Sequence, residues 1–176
     1  MTHEMKVSAV REATHSVLET MLGVTPIDRD PTREEESSIH CDGVVALIGL
    51  AGDWAGTGAF RCSAEMARKL SGLLLMQEYA SVDQDVLDAI GEITNMIMGN
   101  VKTTFEEILG PMGLSIPTVI YGRNFTTRSV GRSEWSVVPF ELDGEVFEIQ
   151  VSLAAHKNKY VPGSKERPST IVSMEV

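Results

Sequence analysis

The chain contains only two cysteines in 176 residues, too few for a disulfide scaffold. Cys41 and Cys62 each lie beside a strand-like run, which favours small buried hydrophobic side chains. His40 precedes Cys41, but no CxxC or HxxxH spacing completes a set of four ligands. We therefore predict no metal site in this chain.

Basic residues are also few, with 15 Lys and Arg against 25 Asp and Glu and a net charge of −10 at pH 7. The sequence has no cluster of Lys and Arg. Because the phosphates of a nucleic acid would be repelled without compensation, we exclude a nucleic-acid-binding role. An acidic surface instead favours basic protein partners.

Long apolar runs are absent as well, since none reaches the roughly 18 residues that a membrane span needs. Residues 1–23 carry acidic side chains within a periodic pattern, unlike the continuous apolar core of a signal peptide. We therefore expect a cytoplasmic protein with no membrane segment. A hydrophobic content of 43% is enough for one well-packed domain, predicted at residues 1–156. Residues 157–176 are predicted to form a loose tail, with 170–174 as a candidate edge strand.

Turn and cap residues divide the chain into helical and strand-like segments. A helix predicted at residues 4–22 ends at Gly23, and Pro31 makes a continuous element improbable at residues 25–38. Asp143-Gly144 between two alternating segments is the strongest short hairpin signal. The other predicted elements are a hairpin at residues 44–63, a helix capped by Ser63, a long helix at 85–110, a strand at 115–121, and hairpin strands at 135–142 and 145–154. We predict an α/β domain in which long helices pack on one face of a mainly antiparallel sheet.

The first and the long helix indicate an internal repeat at an offset of 76 residues. Each helix is followed by a hairpin, so we predict a duplicated helix-plus-hairpin unit with approximate two-fold symmetry. At this offset Ser16 stands where Glu92 is, and Glu19 stands where Asn95 is. The matched pairs are Val10 and Val86, Ala13 and Ala89, Val17 and Ile93, Met21 and Ile97, and Gly23 and Gly99.

The long helix has one apolar side and one polar stripe that carries no base. At roughly 100° per residue the apolar side contains Val86, Ile90, Ile93, Ile97, Val101 and Ile108. The stripe contains Asp88, Glu92, Asn95 and Gly99, and nothing in the helix is predicted to satisfy it. Asn and Gly each cost up to about 1 kcal/mol relative to Ala within a helix, which suggests a role beyond stability. Gly99 would let a second surface come close. The alternative is an acidic solvent-exposed face with an incidental Asn.

The spacing Asp88-x3-Glu92-x2-Asn95, followed by Gly99 and Pro117, resembles the signature of the CheC/CheX/FliY family of chemotaxis phosphatases. It is most similar to the CheX type, which keeps the Glu and Asn in one copy of the repeat. Ser16 and Glu19 agree with that pattern. The interval from Asn95 to Pro117 is one residue shorter than the family pattern.

This resemblance implies a CheC-like fold and hydrolysis of the aspartyl phosphate of a CheY-like response regulator. Glu92 and Asn95 would be the catalytic pair, with Glu92 docking to the regulator's lysine and Asn95 holding the attacking water. Asp88, Gly99 and Pro117 would contact the partner. Mg²⁺ would be bound by the partner, so no cofactor of the chain's own is expected. The resemblance also implies a homodimer formed through sheet edges.

Two other interpretations remain open. The first is a non-catalytic adaptor, because flagellar switch proteins use a similar fold for docking; the intact Glu92 and Asn95 argue against it. The second is a small-ligand or structural domain whose acidic stripe only faces solvent. The decay of a phosphorylated receiver domain distinguishes all three.

Overall fold

The computed structural model describes residues 1–34, 38–128 and 134–155, and within these ranges the chain forms three α-helices and eight strands. The predicted tail at residues 157–176 and its candidate strand lie outside the described residues. The helices are α1 (His3–Val17, continued by a π-helical turn at Leu18–Leu22), α2 (Ala64–Leu75) and α3 (Gln84–Leu109). The strands are β1 (Ile27–Asp28), β2 (Thr32–Glu34), β3 (Ser38–Gly52), β4 (Trp54–Cys62), β5 (Met112–Leu114), β6 (Thr118–Arg128), β7 (Trp135–Leu142) and β8 (Glu145–Ala155).

The strands form one sheet in which every described pair is antiparallel, as predicted. The order is β1-β7-β8-β4-β3-β5, with β2 beside β1 on β7 and β6 beside β5 on β3. Asp143 and Gly144 join β7 to β8 with φ values of 51° and 84°. A two-residue turn with both φ values positive is the one that Asp-Gly favours, so the hairpin prediction is confirmed.

Strand pairing places the two halves of the chain around the centre of the sheet. The hairpins β3–β4 and β7–β8 meet through β4 and β8, and each carries a pair of short or edge strands on its outer side. Pro31 separates β1 from β2, and Pro117 separates β5 from β6. Each proline is followed by the threonine that begins the next strand, Thr32 or Thr118. The duplicated unit therefore includes edge strands in the segment at 25–38, which was predicted as a connection only.

The helices cover one face of the sheet. In β3, β4, β7 and β8 the core residues alternate along the strand, and alternate residues of a strand point to the same face. Ile90, Ile93 and Ile97 of α3 are fully buried against this face, as predicted. Phe60 and Phe140 stack on either side of Phe147 with ring centroids 5.5 and 5.4 Å apart. A smaller cluster of Ala59, Trp135 and Val137 lies on the opposite face.

Three apolar residues that helical spacing places on the inner side of their helices are exposed: Met21, Leu75, which is 45% exposed, and Ile108. Ile108 is 55% exposed because the final turn of α3, residues 106–109, extends past the core and contains no buried residue. Met21 is 51% exposed, while Leu18 and Leu22 are buried. The π-helical turn has more residues per turn than an α-helix and so changes which side chains face the core.

Among the described helices, none combines the length and apolar content required to cross a membrane.

Candidate functional site

The predicted polar stripe lies in the middle of helix α3, and both ends of this helix are defined by specific residues. Asp83 begins the helix, since its Oδ1 accepts a hydrogen bond from the Val86 N–H at 3.1 Å. Gly110 ends it with a φ of 82°, where a residue other than Gly is disfavoured. Glu92 is exposed and Asn95 is half-buried, so neither lies in the core. Residues three apart on a helix are neighbours, which places the two side chains side by side.

These side chains border a groove of about 590 Å³ between α3 and the segment that joins β5 to β6. We call it the site groove. Its helical wall consists of Leu87, Asp88, Gly91, Glu92 and Asn95. Its opposite wall consists of Leu114, Ser115, Ile116, Pro117 and Val119. The structure therefore brings four of the five predicted residues together, Asp88, Glu92, Asn95 and Pro117, and leaves Gly99 outside this lining.

Gly91 sets the distance between the two walls. A Cβ atom at this position would lie 3.3 Å from Val119 Cγ2 and 3.9 Å from Pro117 Cβ, so a larger side chain would separate helix and strand. A Cβ atom at Gly99 would meet nothing within 4 Å. The close approach within this chain is therefore at Gly91, while the surface at Gly99 is open, and the approach of a partner there stays a prediction. The sequence signal was present, since Gly91 is also a glycine within the helix, but the pattern of polar residues drew attention to the other glycine.

The wall opposite the helix is held against β3 by Ser115. The backbone N–H of Ser115 donates to the Gly49 carbonyl at 2.9 Å, and the Gly49 N–H donates to Ser115 Oγ at 2.8 Å. The hydroxyl in turn donates to the Ile116 carbonyl at 2.9 Å. Three hydrogen bonds on two adjacent residues define the path of this short segment. Sequence reasoning missed Ser115, because its partner is 66 residues away.

Charge in the site groove is of one sign. Its described lining contains Asp88 and Glu92 but no Lys or Arg. Asp88 Oδ1 accepts a hydrogen bond from Gln84 Nε2 at 2.7 Å, so the expectation that nothing in the helix satisfies the stripe is wrong for Asp88. Glu92 and Asn95 form no hydrogen bond or ion pair with any residue that the structure describes. Their polar atoms are thus available to a second molecule.

Metal ligation has no basis in the described part of the chain, where no three His, Cys, Asp or Glu side chains are grouped to hold an ion. Cys41 and Cys62 are both buried, as predicted, and neither is part of a disulfide. Burial raises the pKa of the Cys62 thiol far above its ordinary value, with a smaller contribution from nearby Glu145. This thiol therefore stays protonated and behaves as a small apolar group.

The structure also supports an alignment of the two copies at an offset of 80 residues, beside the predicted offset of 76. Thr14 donates to the Val10 carbonyl and Thr94 to the Ile90 carbonyl, both at 2.7 Å, and both threonines are buried. From residues 8 to 20 and 88 to 100 the buried and accessible positions coincide almost throughout at this offset. The two offsets differ by about one helical turn, which preserves apolar periodicity, so the sequence pattern alone did not separate them.

At the offset of 80 the first copy keeps an acid and replaces the Asn. Glu12 corresponds to Glu92 and is also exposed, while His15 corresponds to Asn95 and is also half-buried. Arg11 corresponds to Gly91. The first copy lacks the Glu and Asn pair at either offset, since Ser16 and Glu19 are the corresponding residues at 76.

Ion pairs occupy the region of the first copy that matches the site groove. Arg11 Nε lies 3.2 Å from Asp28 Oδ2, and Arg11 Nη2 donates to the Arg29 carbonyl at 2.9 Å. His15 Nε2 lies 2.9 Å from Asp28 Oδ1, and its other ring nitrogen lies 3.4 Å from Glu19 Oε1. We call Arg11, His15 and Asp28 the Asp28 cluster. The side chains that could face a partner are thus paired within the chain.

Comparison with known proteins gives a consistent family. Residues 44–141 match the family model described as chemotaxis phosphatase CheX. The CheY-P phosphatase CheX of Thermotoga maritima is 29% identical over 126 residues, covering 71% of this chain and 81% of that protein. A crystal structure of CheX from Desulfovibrio desulfuricans has a TM-score of 0.76 at 27% identity, over 85% of this chain and 99% of that one. The CheX in a CheX–CheY–BeF3–Mg²⁺ complex from Borrelia burgdorferi has a TM-score of 0.73 at 29% identity, over 84% and 97%.

Proposed function

This chain belongs to the chemotaxis phosphatase CheX family and is a phosphatase, and we propose that it hydrolyses the aspartyl phosphate of a CheY-like response regulator. The main support for placing this function on the surface of α3 is that the side chains of Glu92 and Asn95 are unpaired there. Both project from α3 into the site groove and have no partner among the described residues. Polar side chains left unpaired at a groove are suited to contact a second molecule.

Asn95 would position the attacking water. An acyl phosphate is already activated, so a catalyst has mainly to hold water in line with the phosphorus atom. The water oxygen bonds to phosphorus as the bond from phosphorus to the aspartyl oxygen breaks, which yields phosphate and the free carboxylate. A neutral amide can accept from and donate to that water without repelling the phosphoryl oxygens. The half-buried position of Asn95 supports this role because it restricts the amide.

Glu92 would fix the docking register by pairing with a lysine in the regulator's own site. Its carboxylate is exposed and has no cation in the lining of the site groove. An acid that meets a base on the partner steers encounter and selects the orientation of the complex. Asp88 would add to the negative charge on the same helical face. Gly99 would allow the partner to approach the next turn, and Pro117 would form the opposite wall.

The metal ion would come with the substrate. The Borrelia burgdorferi complex holds CheX together with CheY, BeF3 and Mg²⁺, which supports a Mg²⁺ ion associated with the phosphorylated partner. A divalent cation would neutralise charge on the phosphoryl oxygens while this chain supplies only Glu92 and Asn95. The cytoplasm remains the predicted location of both proteins.

A homodimer formed through sheet edges is part of the same proposal. β6 is an 11-residue strand at one edge of the described sheet, and Tyr121 within it is 45% exposed. Pairing such an edge with a second copy would satisfy its backbone groups and protect it from uncontrolled association. Sedimentation at micromolar concentration should give twice the mass of one chain, and a monomer would contradict the proposal.

The direct test is the decay of a phosphorylated receiver domain with and without the purified protein. We expect the protein to shorten the lifetime of the acyl phosphate in the presence of Mg²⁺. Binding without any change in lifetime would favour the non-catalytic adaptor. Neither binding nor a change in lifetime, across a panel of receivers, would leave a ligand-binding or structural domain as the better interpretation.

A further inference from the structure

The wall of the site groove opposite α3 carries an exposed apolar side chain. Ile116 has 87% of its surface exposed, next to Pro117 and across the groove from Glu92 and Asn95. A large aliphatic side chain in this state leaves its apolar area in water. Single exposed apolar residues are common on protein surfaces, so the exposure alone decides nothing. The way in which the neighbouring residues hold Ile116 provides the argument.

The backbone that presents Ile116 is fixed on both sides. Ser115 exchanges two hydrogen bonds with Gly49, and its hydroxyl donates to the Ile116 carbonyl itself. Pro117 restricts its own φ, limits the conformations of Ile116 before it, and lies beside Gly91 of the helix. An apolar side chain held in one place loses little entropy when it is buried by a partner. The segment therefore has the features of a preorganised contact.

The position of Ile116 specifies what would cover it. A protein that brings a phosphorylated side chain to Asn95 must lie over both walls of the site groove, because the lining of the groove includes Asn95 and Ile116 together. We propose that Ile116 is an apolar anchor that packs into a hydrophobic patch beside the phosphorylated aspartate of the receiver domain. This inference rests on the proposed function. Glu92 would select a partner with a positive charge at the interface, and Ile116 would select a partner with an apolar patch. The two side chains would contact the partner on opposite sides of the reacting group.

The experiment compares Ile116→Ala and Ile116→Asp with Ile116→Leu. We expect Ile116→Ala to raise the KM for the phosphorylated receiver about tenfold, since burying an aliphatic side chain contributes that order of affinity. Ile116→Asp should raise KM further, and Ile116→Leu should stay near wild type. The value of kcat should change little in all three, because Ile116 contacts the partner and not the reacting atoms. Affinity for the receiver loaded with beryllium trifluoride should fall in parallel with KM.

Met76 provides the matched control. It is 93% exposed at the end of α2 and does not line the site groove, so Met76→Asp should leave KM unchanged. Thermal unfolding should be similar for all variants, because the substituted side chains are exposed. Ser115→Ala adds an independent measurement, since it keeps Ile116 but removes two hydrogen bonds that hold the segment. We expect it to raise KM by less than Ile116→Ala.

Unchanged KM and affinity in Ile116→Asp would overturn the anchor role, and so would a fall in kcat alone. Failure of the proposed function is a different result, because then the wild-type protein itself would not shorten the phosphate lifetime. An active wild type with an unaffected Ile116→Asp variant would leave the phosphatase assignment intact. It would remove only the contribution of Ile116.

Discussion

Equivalent positions in the two copies of the repeat make different contacts. Helices α1 and α3 bury equivalent residues and expose equivalent residues at an offset of 80. In the first copy Arg11 and His15 are paired with Asp28, and their polar atoms stabilise the fold. In the second copy Gly91 adds no side chain, and Asn95 has no partner among the described residues. The second copy, where we propose the binding site, thus differs from the first in leaving polar groups unpaired.

Much of this difference results from one position, which is Arg11 in the first copy and Gly91 in the second. In the first copy, Arg11 reaches the edge segment and donates to the Arg29 carbonyl. In the second copy, Gly91 leaves room for Pro117 and Val119 to approach α3. A side chain of arginine size at Gly91 would occupy the space between the two walls. The shape of the site groove therefore depends on the absence of a side chain at Gly91, and the proposed catalytic role depends in addition on Glu92 and Asn95.

The largest expected effect is on the rate of dephosphorylation, and it should distinguish the two copies. Asn95→Ala should lower the rate of receiver dephosphorylation about 100-fold, because a water that is no longer held in line reacts poorly. Binding to the receiver with beryllium trifluoride should remain close to wild type, since the interaction matters chiefly in the transition state. The paired control is His15→Ala in the first copy, which should leave the rate unchanged. Wild-type rates in Asn95→Ala would remove the water-positioning role and favour the adaptor.

The next effect concerns the acids that both copies retain. Glu92→Ala should weaken binding of the phosphorylated receiver about tenfold and reduce the salt dependence of binding, because a charge pair across the interface is lost. Glu12→Ala, at the equivalent exposed position, should change neither quantity. Titrations at two salt concentrations test both variants. Equal losses for the two acids would mean that only overall negative charge matters.

A smaller effect, on the free energy of unfolding, is expected for a substitution in the first copy. Asp28→Ala should destabilise the protein by about 1 kcal/mol or less, since its ion pair with Arg11 and its hydrogen bond with His15 are partly exposed to solvent. The dephosphorylation rate should not change. Asp88→Ala, which removes an exposed acid of the second copy, should have a still smaller effect on stability. Denaturant unfolding measures both, and a loss of activity in Asp28→Ala would show that the first copy also serves the reaction.

The smallest effect is expected at the end of α3, beyond the site. The pKa of Glu106 is lowered by the hydrogen bond from Lys102 and then by that from the Met112 N–H. A lowered folded-state pKa gives stability that is present above the ordinary value of 4.5 and is lost as the pH falls through the folded-state value. The Tm difference between wild type and Glu106→Gln should therefore be small at neutral pH and vanish in acid. A difference that grows in acid would contradict this assignment.

Local pattern was sufficient for the three helices, for the two main hairpins and for the residues of the polar stripe. The period of α3 placed Ile90, Ile93 and Ile97 in the core, and Asp143-Gly144 identified the hairpin, because these features depend on residues close in sequence. The stripe of Asp88, Glu92 and Asn95 followed from the same period. Pro117 came from the family spacing, and the structure places it opposite the helix.

Tertiary contacts decided what periodicity left ambiguous. The offset of 76 residues and the offset of 80 residues both preserve an apolar face, and the equivalent hydrogen bonds of Thr14 and Thr94 favour the offset of 80. The π-helical turn that exposes Met21 is likewise invisible to a pattern of period 3.6.

The sequence by itself determined which residues share the polar face of α3, because a helix of fixed period brings residues three and four apart together wherever it lies. Only the tertiary structure decided that Gly91 is the point where β6 and the segment before it approach α3, and that Ile116 lies across the site groove from Asn95. Both facts depend on how closely β6 and the segment before it pack against the helix. That packing is set by Val119 and by the bond of Ser115 to Gly49, contacts between residues far apart in the chain.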